Sequence, residues 1–286
     1  MLGSDVSERD LVPDDFEPLA PDYAADLFSG TAHFYSQYRV PYSDALLDDL
    51  CVRADVTGTG RLVDLACGPG RVALPLAGRF AEVVATDQEP EMVEVGRADA
   101  VRLGIENVRW EVGRAEDLEL DAASTELITI GEAFHRLDQR VIGAQALAWL
   151  EPGGHIASLG CYGLTTGSEP WQQIIRDVLN RWADADRMPR RSRPVHRARG
   201  AAHDGQVLCW VGFEEVRDYQ FLHPHEWTPE SIIGNLYSGS GNLSSSLGQG
   251  RVDFEAELTK ALLEHDSKGT FLETMRFGYT LGMKPG

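Results

Sequence analysis

Apolar and polar positions along this chain alternate between two patterns, short buried runs and longer amphipathic stretches. Leu62 to Ala66 is a mostly apolar run of the kind that fills the middle of a parallel sheet. Gly68 and Gly70 follow at once, and then Val72, Leu74 and Leu76 supply the apolar positions of a helix. The pattern predicts further strands at Glu82–Asp87, Asn107–Val112, Glu126–Gly131 and His155–Tyr162, with helices at Glu91–Leu103 and Val141–Leu150 between them. Glu151-Pro152-Gly153-Gly154 reads as the turn that stops the second of these helices. Ahead of this unit lies an amphipathic helix, Ser43 to Arg53, with Leu46, Leu47 and Leu50 as its apolar stripe. Behind it come a helix at Trp171–Trp182, a strand at Phe213–Leu222, helices at Thr228–Tyr237 and Phe254–His265, and a last strand at Thr274–Met283. Strands alternating with helices imply an α/β fold with helices on both faces of a parallel sheet.

The glycine turn is where a small molecule is expected. Gly68-x-Gly70-x-x-Ala73 satisfies the dinucleotide pattern, so the glycines alone admit NAD. Asp64 changes that reading, because a carboxylate inside a strand requires a hydrogen-bonded or cationic partner and repels a pyrophosphate. Asp87, 17 residues beyond Gly70 at the end of the second strand, is placed to accept hydrogen bonds from two ribose hydroxyls. His135, beyond the fourth strand, is the candidate general base, since a neutral imidazole accepts a proton near pH 7.

Val63-Asp64-Leu65-Ala66-Cys67-Gly68-Pro69-Gly70 closely resembles the glycine motif of class I S-adenosylmethionine (SAM)-dependent methyltransferases. Three further segments resemble a small-molecule, natural-product group of that family. They are Tyr38-Arg39-Val40-Pro41-Tyr42 (Y-R-x-P-Y), Gly113-Arg114-Ala115-Glu116-Asp117-Leu118 (G-x-A-E-x-L, with Arg114 where an acid is usual) and Ala133-Phe134-His135-Arg136-Leu137-Asp138 (A-F-H-x-x-D). The Leu-x-Pro-Gly-Gly turn is another likeness. The resemblance implies a Rossmann-like seven-stranded sheet in the order 3-2-1-4-5-7-6 with an antiparallel last strand. It also implies SAM as cofactor and S-adenosylhomocysteine as product. Tyr38 and Arg39 would meet the methionine carboxylate under an N-terminal segment folded over the cofactor, and Asp64, Ala66, Cys67, Gly68 and Gly131 would form the cofactor's bed. Gln88 and Met92 would lie beside ribose and adenine, and the Ala115 amide and Glu116 would read the adenine edge. On the acceptor side the expected residues are Glu132, Phe134, Asp138, Trp227 and Tyr237.

Composition narrows the partners. The chain has 26 basic and 45 acidic residues, a formal net charge of −19, which repels nucleic acid and anionic membranes. The same charge favours a cationic acceptor, held by Glu132 and Asp138. Cys51, Cys67, Cys161 and Cys209 are far apart with no C-x-x-C, so neither a disulfide framework nor a structural metal is expected. His223-Pro224-His225-Glu226 reads as a polar loop and not a metal site. No run of eighteen apolar residues and no leader-like start are visible, and a cytoplasmic location is expected.

With 286 residues, the expected organisation is a flexible acidic arm over 1–25 and one methyltransferase domain over 26–286. Cap elements are expected at 26–53, 163–212 and 227–268. Within these, Arg187 to Arg199 is a basic run, and the Gly/Ser-rich connector Ser238–Gly250 is expected to act as a lid. The expected function is SAM-dependent methyl transfer to a small polar natural product, first an amino group of an aminoglycoside or amino sugar, and next a sugar or phenolic hydroxyl. A SAM-binding cyclase and an NAD-dependent oxidoreductase are the other readings. Oligomeric state leaves no mark on the sequence.

Overall fold

The structure is a computed structural model that describes residues 28–161, 163–184, 201–240 and 243–286. The expected arm at 1–25 and the basic run Arg187–Arg199 lie outside the described residues. Seven strands form one sheet in the order β3-β2-β1-β4-β5-β7-β6. They are β1 (Arg61–Leu65), β2 (Glu82–Asp87), β3 (Val108–Val112), β4 (Thr125–Gly131), β5 (Leu150–Cys161), β6 (Glu214–Trp227) and β7 (Phe271–Met283). The first five pair in parallel and β7 runs antiparallel to both of its neighbours, as the resemblance implies.

Strand residues alternate between two cores. Leu62, Val83 and Leu127 face one core, shared with α2 (Asp44–Arg53), α6 (Pro170–Asp184), α8 (Pro229–Tyr237) and α10 (Arg251–His265). Val63, Val84, Ile128 and Ile130 face the other, shared with α5 (Gln139–Trp149) and α7 (Ala201–Val211). Both faces are therefore covered, which explains the near-continuous apolar runs of β1 and β4. The helix α7, expected within a cap, packs beside α5 on β6 and β7 and completes the helical layer. Among the described residues no helix is long and apolar enough to cross a membrane, and no three His, Cys, Asp or Glu side chains gather as a metal site.

Three elements depart from expectation. Residues Glu151 to Gly154 are a bulge inside β5 and not a turn before it. The register with β4 shifts between Thr125 and Leu127, and Gly153 at φ +79° takes up the extra length. The His223–Glu226 segment is strand, not loop: β6 pairs with β7 through to Trp227 opposite Phe271. Pro224 is tolerated there because β6 is the sheet's edge and one side of it needs no donor. The Ser238–Gly250 connector contains a short helix, α9 (Leu243–Leu247), whose Leu243 and Leu247 are buried in the first core. Apolar burial thus fastens a segment read from its composition as a lid.

Asp64 ties the centre together. The register sets it opposite Thr129 on the neighbouring strand, and the Thr129 hydroxyl donates to its Oδ1 at 2.8 Å. Its Oδ2 accepts the Ala73 amide at 3.1 Å, at the start of α3 (Ala73–Leu76). Two protein donors thus occupy the carboxylate that was expected in the cofactor's bed. Trp110 of β3 packs over the turn from outside. A Cβ on Gly70 would lie 2.7 Å from its ring, and a Cβ on Gly96 would lie 2.4 Å from it. The first helix after β2, α4 (Pro90–Leu103), and the glycine turn are therefore held against one indole.

Two predictions follow from this packing. Gly96→Ala lowers stability by about 1–3 kcal/mol in urea unfolding, the usual cost of overpacking, and Trp110→Leu in the same chain recovers part of the loss. A neutral effect of Gly96→Ala would contradict the close approach. Burial pushes the Asp64 carboxyl up to about 7, against the lowering effect of its two hydrogen bonds. The folded state therefore binds a proton that the unfolded chain has released. This contribution is complete below the unfolded value and is lost as pH rises through about 7. Asp64→Asn, neutral throughout, gains stability relative to the parent between pH 5 and 8. A difference that does not vary with pH would contradict the buried carboxyl.

Candidate active site

The chain leaves β1 through Ala66 at φ +51°, then turns at Gly68 and Gly70 with φ of +55° and +86°. A side chain at Gly70 would meet both the left-handed backbone and Trp110, so glycine is required there. This turn points its amides towards the end of β2. The Gly68 amide donates to Asp87 Oδ2 at 2.7 Å, and the Glu89 amide donates to Oδ1 at 2.9 Å. Burial raises the Asp87 carboxyl above its ordinary range, and these two amides oppose the rise.

A cleft runs along the carboxyl ends of four strands. Ala66 and Gly68 come from β1, Asp87 to Glu89 with Met92 from the β2 side, Gly113 to Glu116 from beyond β3, and Gly131 to Ala133 from β4. Phe28 and Tyr35, from the segment before and within α1 (Ala32–Tyr38), close it together with Arg136 and Leu137. Phe28 meets Tyr35 edge-on at 6.1 Å, and the Arg136 guanidinium lies 5.3 Å from the Phe28 ring centre. This segment is fixed to α4 by the Gly30 amide, which donates to Glu91 at 2.9 Å.

These residues fit an adenosyl cofactor. Each Asp87 oxygen accepts one amide in the bonds described and retains acceptor capacity for a ribose hydroxyl. The Gly131 position is a cradle, where a Cβ would lie 3.3 Å from Tyr42 Oη and 3.4 Å from Val72. Met92 offers an apolar wall at 2% exposure.

The residues expected from sequence divide into two groups. Ala66, Gly68, Asp87, Gln88, Met92, Ala115, Glu116, Gly131 and Glu132 line the cleft together. Glu116 also accepts the Asp138 amide at 2.9 Å and pairs with Arg114 at 3.5 Å, which accounts for a base where an acid is usual. The others are held elsewhere. Cys67 is buried beneath the turn with its thiol pushed up by burial, and Asp64 bonds Ala73 and Thr129. Tyr38 lies on α8, against Gly234, and its hydroxyl donates to Glu230 at 3.0 Å. Phe134 is core at 1% exposure. Asp138 caps α5, accepting the Arg140 and Val141 amides. Trp227 and Tyr237, each 1% exposed, donate to Glu273 and Glu255 and do not reach the cleft. His135 sits half-buried on the single 3-10 turn after β4.

Sequence reasoning missed Tyr35, which takes the place in the cleft expected for Tyr38, and also Phe28, Arg71 and Cys161. Around Glu132, Arg39 donates at 3.3 Å, Arg71 stands at 3.4 Å, and the Cys161 thiol donates at 2.5 Å. Burial alone would raise the Glu132 carboxyl, but Arg71 and Arg39 hold it below the ordinary carboxylate range.

Residues 62–154 match the family described as a methyltransferase domain. An uncharacterized RNA methyltransferase of Listeria monocytogenes is 44% identical over 63 residues, 22% of this chain and 14% of that protein. The uncharacterized methyltransferase YcgJ of Bacillus subtilis is 32% identical over 108 residues, 38% of this chain and 43% of its own. The YcgJ crystal structure superposes with a TM-score of 0.53 at 19% identity, covering 85% of this chain and all 100% of that one. The uncharacterized methyltransferase Mb3374 of Mycobacterium bovis is 29% identical over 218 residues, 76% of this chain and 78% of that protein. The chain thus spans less than half the length of the first two of these relatives. Over residues 62–154 it is therefore similar to a methyltransferase domain.

Proposed function

We propose that this chain transfers a methyl group from SAM to a small polar acceptor. The carrying observation is Asp87, a carboxylate fixed by the Gly68 and Glu89 amides at the centre of a cleft that spans four strand ends. Ribose would bond to Asp87, adenine would lie between Met92 and the Ala115–Glu116 segment, and the methionine end would rest on Ala66 and Gly68 under Tyr35. When bound, SAM supplies a methyl group already activated by a sulfonium. The protein's part is then to align the acceptor and exclude water. Phe28, Tyr35 and Arg136 form the cover that does the second.

A narrow, covered cleft and a net charge of −19 support a small molecule over a nucleic acid strand. The likenesses to proteins named as RNA or rRNA methyltransferases cover 63 to 126 residues, 22% to 44% of this chain. Within small molecules, an amino group of an amino sugar draws support from the overall acidity. The two carboxylates that would hold its ammonium groups, Glu132 and Asp138, are engaged with Arg39, Arg71 and the start of α5. A sugar or phenolic hydroxyl is compatible with the same cleft.

For an acceptor that must lose a proton the proposed base is His135, which is outside the cleft lining but close enough to Glu132 to help lower its carboxyl. His135→Ala is expected to lower kcat by about 100- to 10,000-fold, the usual size of a general-base effect, with SAM affinity unchanged. Stopped assays that follow S-adenosylhomocysteine across a panel of amino and hydroxyl acceptors test both points. No S-adenosylhomocysteine above the acceptor-free rate for any acceptor would contradict methyl transfer. A loss below tenfold in His135→Ala would contradict the base.

A further inference from the structure

Helix α10 carries two stripes. Phe254, Leu258 and Leu262 point into the first core. Val252, Ala256, Thr259 and Leu263, spaced four, three and four residues apart, form a second stripe turned away from it. Val252 is 72% exposed and Leu263 40%. This stripe lines an open groove of about 1120 Å³ whose opposite wall is formed by Phe34 and Tyr38 of α1 with Ile233 of α8. Such spacing is the seam by which one helix packs along another, and among the described residues no element lies over it.

The stripe is complementary to itself. Antiparallel helices pair their seam positions crosswise, and a dyad between positions 257 and 258 sets Val252 opposite Leu263 of the partner subunit and Ala256 opposite Thr259 of the partner subunit. Small residues meet at the centre, where the backbones approach, and the larger ones close both ends. On one flank the same register places Asp253 within a single turn of Lys260 of the partner subunit, a pair that the dyad makes twice. On the other flank Glu255 is neutralised within its own chain, by Arg251 at 2.7 Å and the Tyr237 hydroxyl at 3.0 Å. The groove lining sets Glu230, Glu255 and Glu264 against Arg251 and Lys260, close to neutral in a chain of net charge −19. Two copies therefore meet there with little of the repulsion that the rest of the surface imposes.

We infer that this groove receives a second copy of the chain, with α10 packed antiparallel on α10 of the partner subunit about that dyad. The dimer bears on the cofactor cleft through α1. Phe34 and Tyr38, one helical turn apart, face the groove, and Tyr35 between them faces the cleft. Phe34 also meets Tyr237 edge-on at 5.3 Å, and Tyr38 donates to Glu230 at 3.0 Å, so α1 moves with the groove wall. A partner seated against Phe34 and Tyr38 thus favours the position of α1 that covers the cleft. This link to the cofactor rests on the methyltransferase reading, and the docking itself does not.

Sedimentation of the full chain over a wide concentration range tests the docking. A dimer that dissociates on dilution is expected, and Leu263→Glu is expected to be monomeric with unchanged circular dichroism, since the core stripe of α10 is untouched. Lys260→Glu weakens the dimer about tenfold, because two pairs turn repulsive, and Asp253→Lys added to it restores association. These two exposed positions decide the matter if Leu263→Glu fails to fold. A chain that stays monomeric, whether its own residues 1–27 or another protein fills the groove, overturns the inference. So does a dimer indifferent to Leu263→Glu, and so does failure of the charge swap to restore it. S-adenosylhomocysteine, titrated by calorimetry, is expected to bind Leu263→Glu several-fold more weakly than the parent. Equal affinity overturns the link through α1, and failure to bind the parent at all counts against the methyltransferase reading while the sedimentation result stands.

Discussion

The hydrogen bond from the Gly68 amide to the Asp87 carboxylate is the constraint on which the cleft depends. It joins the turn after β1 to the end of β2 and so fixes both the bed and the centre of the site. The bond forms because Gly68 adopts a left-handed backbone, because Trp110 holds the turn from outside, and because Asp64 fastens the start of α3 below it. Two of these supports come from β1 and the turn that leaves it, and the third from β3. The site is thus a property of the assembled sheet and not of the glycine loop alone.

Charge is divided unevenly between surface and interior. The chain as a whole is strongly acidic, yet the interior beside β4 and β5 concentrates Arg39 and Arg71 around Glu132. A buried ion pair is weak evidence for stability, because desolvation offsets most of the attraction. A triad with one charge left over is weaker still. Such a cluster is more reasonably explained by what it binds than by what it stabilises.

Most of the fold could be read from the sequence because the sheet is buried on both faces. Leu62–Ala66 and Glu126–Gly131 can be little else than central strands, and strand order followed from the glycine motif's resemblance. The cofactor side was also legible, since Asp87, Met92, Ala115 and Glu116 sit at fixed distances from that motif. Local patterns failed where distant chain segments decide the outcome. Tyr38 leaves the cleft because Gly234, far along the chain, has no Cβ and admits its ring, where a Cβ would lie 2.3 Å away. Tyr35, one helical turn earlier, faces the cleft in its place. Arg71 matches no motif position, and it joins the site only because its side chain reaches Val40 and Glu132. Trp227 and Tyr237 were expected on the acceptor side, whereas Glu273 and Glu255 satisfy their polar tips within the core.

The central claim is that the Asp87 cleft holds an adenosyl cofactor with an amino-acid end. A calorimetric comparison of S-adenosylhomocysteine and NAD binding to the parent chain and to Asp87→Ala tests it most directly. The account predicts one S-adenosylhomocysteine per chain, no NAD, and at least a tenfold loss of affinity in Asp87→Ala, consistent with hydrogen bonds to a charged group worth about 1.5–3 kcal/mol each. NAD binding in place of S-adenosylhomocysteine, or equal affinity in the two proteins, would contradict it.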